Sequence, residues 1–280
     1  MPWLFLTPFL VLFIIFMAYP TIYSIVISFT NFRAGKFNFV GWANFKFVFN
    51  DATFLKAVGN TFILMLIQVP IQTFLCVVLA NFLNIARLKL KGMFRMLSFT
   101  PVLIDAVSYS IVFSLFFSND PASLANTALG LFGVQPVEWV NMVWPARILL
   151  VIAVTWRWTG YNSIIILGGL QNISHDLYEA AELDGAGPVK QFFAITIPSI
   201  KPVILFSVVL SVTGTLQLFT EPNLITSGGP VNSTLTIVQY LYNTGFKAFS
   251  YGVASAGAYV LAIMIAILTF IQMRVTKEKD

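Results

Sequence analysis

Charged side chains are scarce: Asp, Glu, Lys and Arg supply 10% of the 280 residues, against 58% hydrophobic ones. A water-soluble domain carries about 25% charged residues, so this chain has too little polar surface to face water on all sides. A soluble globule is excluded, and a mean hydropathy of +0.85 over the whole length also excludes a single apolar anchor. Cysteine is limited to Cys76, within an apolar stretch, which rules out an intramolecular disulfide and a thiolate metal cluster. His175 is the only histidine, so neither a His-based zinc site nor a Ser-His-Asp triad is available. No Gly-Lys-Ser or Gly-Lys-Thr run occurs, which leaves the chain without a phosphate-binding loop of its own. The net charge of +5 comes from Lys and Arg set beside apolar runs, a pattern of membrane orientation rather than of nucleic-acid binding.

Apolar residues are abundant and grouped. A bilayer core of about 30 Å needs roughly 20 apolar residues per helix, and six such windows occur, at 4–29, 61–82, 93–117, 148–170, 203–219 and 252–273. The fold class is therefore an all-α membrane protein with six transmembrane helices. The first run has no basic segment before it and outlasts the core of a secretory signal, so it is read as a retained span. Pro8, Pro20, Pro70, Pro101 and Pro145 fall in or beside spans, where kinks are expected. Arg87, Lys89, Lys91 and Arg95 between spans two and three, with Arg274, Lys277 and Lys279 after span six, put both termini in the cytoplasm. The first outer loop, with Arg33, Lys36, Lys46 and Lys56, opposes this assignment, but its charges are more dispersed.

Alternation makes the connection at 171–201 cytoplasmic although it is acidic. Asp176 is a candidate N-cap with Glu179 as its capping-box partner, Gly185 a helix stop, and Pro188 the start of a second short helix over 189–197 ended by Pro198. Two short helices at a bend would form a protruding knob, narrow at Ala180 and Ala181, with the Glu179 carboxylate available to a basic partner. From the residues alone, an amphipathic segment lying on the membrane surface is an equal alternative.

These residues carry a resemblance. Tyr178-Glu179-Ala180-Ala181, then Asp184-Gly185-Ala186, Ile197-Pro198 and Pro202 resemble the EAA loop of permease subunits of binding-protein-dependent ABC importers. Trp156-Arg157-Trp158-Thr159-Gly160-Tyr161, Gly169-Leu170-Gln171-Asn172-Ile173, Thr226-Ser227-Gly228-Gly229-Pro230 and Gly41-Trp42-Ala43-Asn44-Phe45 are similar to the carbohydrate branch, comprising the MalF type and the glycerol-phosphate and multiple-sugar permeases. MalF itself has further N-terminal spans and a large outer domain, so the six-span short form is the better match. The resemblance implies a type I importer fold: a first helix and outer loop over 1–60, then a core of five helices over 61–280 with the coupling loop at 171–201. It also implies that Tyr178, Glu179, Ala180, Ala181, Asp184, Gly185 and Pro198 couple to an ATPase. The implied partners are a second, MalG-like permease subunit, two ATPase subunits that bind ATP and Mg, an extracytoplasmic solute-binding protein near the Gly-Gly-Pro stretch, a carbohydrate substrate and membrane lipid. No cofactor in this chain, no catalytic residue and no metal site are implied, and the expected location is the bacterial inner membrane.

Polar residues in the spans are candidates for the substrate path: Tyr109, Arg157, Tyr161, Asn162, Gln217, Glu221 and Asn223. For each, sealing a contact between helices is an equal alternative. Arg157 can pair with Asp105, stack on an aromatic ring or face a wet cavity. A path lined by Arg157 points to an anionic saccharide. A secondary transporter driven by an ion gradient is the alternative function, against which stands the lack of an internal repeat. A membrane enzyme lacks any nucleophile, base and orienting group at recognisable spacing.

Overall fold

The computed structural model describes residues 2–32, 37–85 and 88–276. Of the orienting charges, Arg33, Lys36, Arg87, Lys277 and Lys279 lie outside the described residues. Five helices are long and apolar enough to cross a membrane singly: Phe5–Ser28, Ala52–Asn84, Val143–Gln171, Pro188–Leu216 and Tyr251–Arg274. They correspond to spans one, two, four, five and six. Spans two and four start earlier than their apolar windows because their opening turns carry polar residues that face protein, such as Asn60 and Arg147. Residue 60, the expected domain boundary, thus lies inside a continuous helix.

Span three is not the single helix expected over 93–117. It consists of Lys91–Leu103 and Ala106–Phe116, which meet at 94°. Pro101 withholds one backbone donor, Ile104 turns extended, and Asp105 restarts the helix by accepting from the backbone N–H groups of Val107 at 2.9 Å and Ser108 at 3.2 Å. Asp105 is therefore a helix cap, and the Arg157–Asp105 ion pair is not formed.

Two ends can be distinguished in the bundle. At one, Asn44 donates to the carbonyls of Ser28 and Thr30, joining the end of span one to the turn before span two. The segment after span five folds onto this same end. Lys56 Nζ donates to Val231 O at 2.6 Å, Asn60 Nδ2 to Asn232 O at 2.6 Å, and Arg147 bridges Ser233 O at 3.1 Å and Asn60 Oδ1 at 3.0 Å. Tyr240 donates to Asp51, and burial followed by this hydrogen bond pushes its phenol pKa up. At the other end, Leu83, Leu170 and Ile200 pack under the connection at 171–188, with Phe94 and Ile173 against them. Spans one and six run side by side, tied by a 2.7 Å hydrogen bond between Ser24 and Tyr259, and the last described turns of span six, with Met273 and Arg274, lie beside Pro202 and Leu205 at the start of span five.

Spans three and four touch through Gly160. A Cβ there would lie 1.6 Å from the carbonyl oxygen of Ser98, so only glycine admits this approach. At Gly168, two turns further on, nothing lies within 4 Å. Gly160→Ala is expected to cost at least about 1–3 kcal/mol, because backbone must move, while Gly168→Ala stays within about 0.5 kcal/mol of wild type. Thermal unfolding of the purified protein in detergent checks both; equal midpoints for the two variants would refute the contact.

Candidate functional site

A cavity of about 430 Å³ lies between spans two, four and five, the second half of span three and the segment after span five. Span two contributes Gln68 and Gln72, four residues apart and so on one helix face. Each is only 2% exposed, so its amide must find protein partners. Gln68 Nε2 donates to Gln72 Oε1, Gln72 Nε2 donates to Ser211 Oγ at 3.2 Å, and the Thr215 hydroxyl donates to Gln68 Oε1 at 2.9 Å. Span four adds Arg157, Trp158, Tyr161 and Asn162. Asn162 is stitched into the wall, accepting from Ser207 at 2.9 Å. Beyond span five, Gln217 and Glu221 complete the lining.

Five of the seven candidates for the path thus line one cavity: Arg157, Tyr161, Asn162, Gln217 and Glu221. Tyr109 stands behind it. Its hydroxyl donates to Glu221, and the Arg157 guanidinium lies 4.7 Å from the centre of its ring. Asn223 is outside the lining and accepts from Gln239 at 3.4 Å. Gln68, Gln72, Ser211 and Thr215 escaped the sequence reading. The spacing of four between the two glutamines was the available signal, since two amides on one face of an apolar helix require partners.

The connection between spans four and five is a helix, His175–Leu183, that protrudes from the bundle. Ser174, not Asp176, is its N-cap, accepting from Asp176 N–H at 3.3 Å. A cap two residues earlier puts Glu179 beyond capping-box reach, and its carboxylate instead meets His175 Nδ1 at 3.0 Å. At the other end Gly185 has φ +75°, with Gly185 N–H bonded to Glu182 O at 3.0 Å and Ala186 N–H to Ala181 O at 2.8 Å. Those two bonds form a Schellman stop, which needs the left-handed conformation that glycine adopts without strain. Glu179, Ala180, Asp184 and Gly185 are exposed, and Leu183 is 91% exposed.

The second short helix does not end at Pro198. The chain runs from Pro188 through a π-helical turn at Phe192–Thr196 into span five. A π turn shifts the hydrogen-bond register and leaves a carbonyl without an intrahelical donor, so a residue lacking N–H fits just after it. Pro198 is thus part of span five. Tyr178 fastens the protruding helix to this span through a 2.8 Å hydrogen bond to Thr196.

Six crossings, one of them broken, around a polar cavity, with a helical elbow at one end, define a multi-pass membrane protein with a solute path. The chain belongs to the family of binding-protein-dependent transport system inner membrane components, whose model matches residues 54–277. It is similar to the lactose transport system permease protein LacF of Rhizobium radiobacter, 42% identical over 99% of this chain and 94% of that protein. The arabinooligosaccharides transport system permease protein AraP of Bacillus subtilis is 35% identical over 98% of this chain and 88% of its own length. In fold, the chain resembles the crystal structure of a bacterial ABC transporter involved in the import of the acidic polysaccharide alginate, with a TM-score of 0.86 at 22% identity, covering 98% of this chain and 94% of that one.

Tyr109→Phe leaves the buried Glu221 carboxylate without its phenol donor and is expected to cost about 1–3 kcal/mol of stability. Tyr161→Phe, whose hydroxyl has no partner among the described residues, should change stability by less than about 0.5 kcal/mol. Unfolding midpoints of the two variants in detergent test the difference.

Proposed function

We propose that this chain is a permease subunit of an ATP-driven importer that carries a carbohydrate inward across the bacterial inner membrane. The observation that carries the substrate class is its likeness, over almost its full length, to permeases named for lactose and arabinooligosaccharides. The cavity supports it chemically, since amide and hydroxyl groups beside Trp158 and Tyr161 suit the hydroxyls and apolar faces of a sugar ring.

The chain is not itself a catalyst. Two ATPase subunits binding ATP and Mg would drive the cycle, with the His175–Leu183 helix as the docking element. Exposed Leu183, Ala180 and Glu179 offer an apolar tip with a carboxylate beside it. Because this helix is bonded to Thr196 at the base of span five, a push on it would reach Ser211 and Thr215 in the cavity wall along one helix. In this reading the elbow, both termini and the tip of span six face the cytoplasm. A second, MalG-like permease subunit would complete the path, and an extracytoplasmic solute-binding protein would deliver the sugar at the opposite end, near the Thr226–Pro230 turn. A solved neighbour with a TM-score of 0.84 and 23% identity, a bacterial alginate ABC transporter in complex with an alginate pentasaccharide-bound periplasmic protein, has the fold for such an encounter.

Glu179→Lys reverses the charge on the elbow, and Gly185→Asp strains its left-handed stop. Both variants are expected to insert normally yet abolish sugar uptake and lose the co-purifying ATPase. Normal uptake with an intact complex would remove the elbow's coupling role.

A further inference from the structure

The charges in the cavity wall are balanced. Among its lining residues Arg157 is the single cation and Glu221 the single anion. They do not pair with each other: the ion pair found among the described residues is His175–Glu179. Each is held instead by Tyr109, whose hydroxyl donates to Glu221 and whose ring lies 4.7 Å from the Arg157 guanidinium. Glu221 is 5% exposed, and Nε and Nη1 of Arg157 are buried with no acceptor.

We propose that this cavity selects uncharged saccharides, with Arg157 donating to sugar hydroxyl oxygens and Glu221 accepting from sugar hydroxyls while repelling a uronate. The proposal rests on the sugar-import reading and deepens it. A hydroxyl both donates and accepts, so a neutral ring satisfies the unused N–H groups of Arg157 and the carboxylate of Glu221 together. The wall's charge stays at zero. A uronate brings a further negative charge that Arg157 alone would have to meet, close to Glu221, where little water screens the repulsion. This reverses the expectation of an anionic ligand drawn from Arg157 in the sequence, because the fold brings a buried carboxylate to the same wall.

The test is equilibrium dialysis of the assembled transporter in lipid nanodiscs, without the binding protein, whose own selectivity would mask that of the cavity. The probes are labelled neutral disaccharides (lactose, maltose and arabinobiose) and labelled digalacturonate. At least one neutral sugar should bind about tenfold or more tighter than digalacturonate. Glu221→Gln should narrow that gap to about threefold or less, Glu221→Asp should preserve it, and Arg157→Gln should weaken neutral binding. Size-exclusion profiles identify any variant that fails to assemble, and Glu221→Asp keeps the comparison available if Glu221→Gln does. Digalacturonate binding as tightly as every neutral sugar, or a gap unchanged in Glu221→Gln, overturns the proposed selectivity and leaves sugar import standing. Binding of neither class overturns the sugar-import reading and this proposal with it.

Discussion

In a hydrocarbon core no water is available to backbone N–H and C=O groups, so every break in a helix must be capped from within the protein. The architecture follows from how this chain meets that demand. The 94° break in span three is tolerable because the Asp105 carboxylate takes the N–H groups of Val107 and Ser108. The long segment after span five returns to the end of the bundle opposite the elbow, where Lys56, Asn60 and Arg147 take up its free carbonyls at Val231, Asn232 and Ser233. These two irregular segments bring Ala106 and Glu221 into the cavity wall. The cavity exists because the breaks are satisfied.

Its polarity obeys the same accounting. Gln68, Gln72, Ser211 and Thr215 form a connected amide and hydroxyl network across spans two and five, so each buried group has a partner before any ligand arrives. Arg157 is the exception: a cation resting on an aromatic ring with two nitrogens unmet. A buried guanidinium with idle donors is costly to keep, and it is the group in the wall most in need of an external acceptor.

Mechanical continuity comes from a less expected source. A helix interrupted at Pro198 would have isolated the elbow from the membrane. Instead a π-helical turn absorbs the proline, and Pro188–Leu216 runs about 43 Å without a stop. The elbow is bonded to this rod at Thr196, in its π turn, and Thr215 sits at the far end, in the cavity wall. An element that is rigid along its length and joined to both places is what a displacement would need in order to pass between them.

The number of crossings, the elbow and its glycine stop were legible in the sequence, because hydropathy windows and the Gly185 signal depend on neighbours along the chain. So was the polar character of five of the lining residues. Span ends, the Ser174 cap and the π turn were not: each depends on which of several adjacent donors or acceptors geometry selects, and Ser174 and Asp176 are chemically interchangeable until the helix axis is fixed. The sequence by itself determined that the chain lives in a membrane and carries a helical elbow between its fourth and fifth crossings. Only the tertiary structure decided that Tyr109, rather than Asp105, holds Arg157 and also binds Glu221, since residues 48 to 112 positions apart were brought together by the folding of two broken segments. Charge placement across such distances has no local signature, because the energy that fixes it resides in packing between helices.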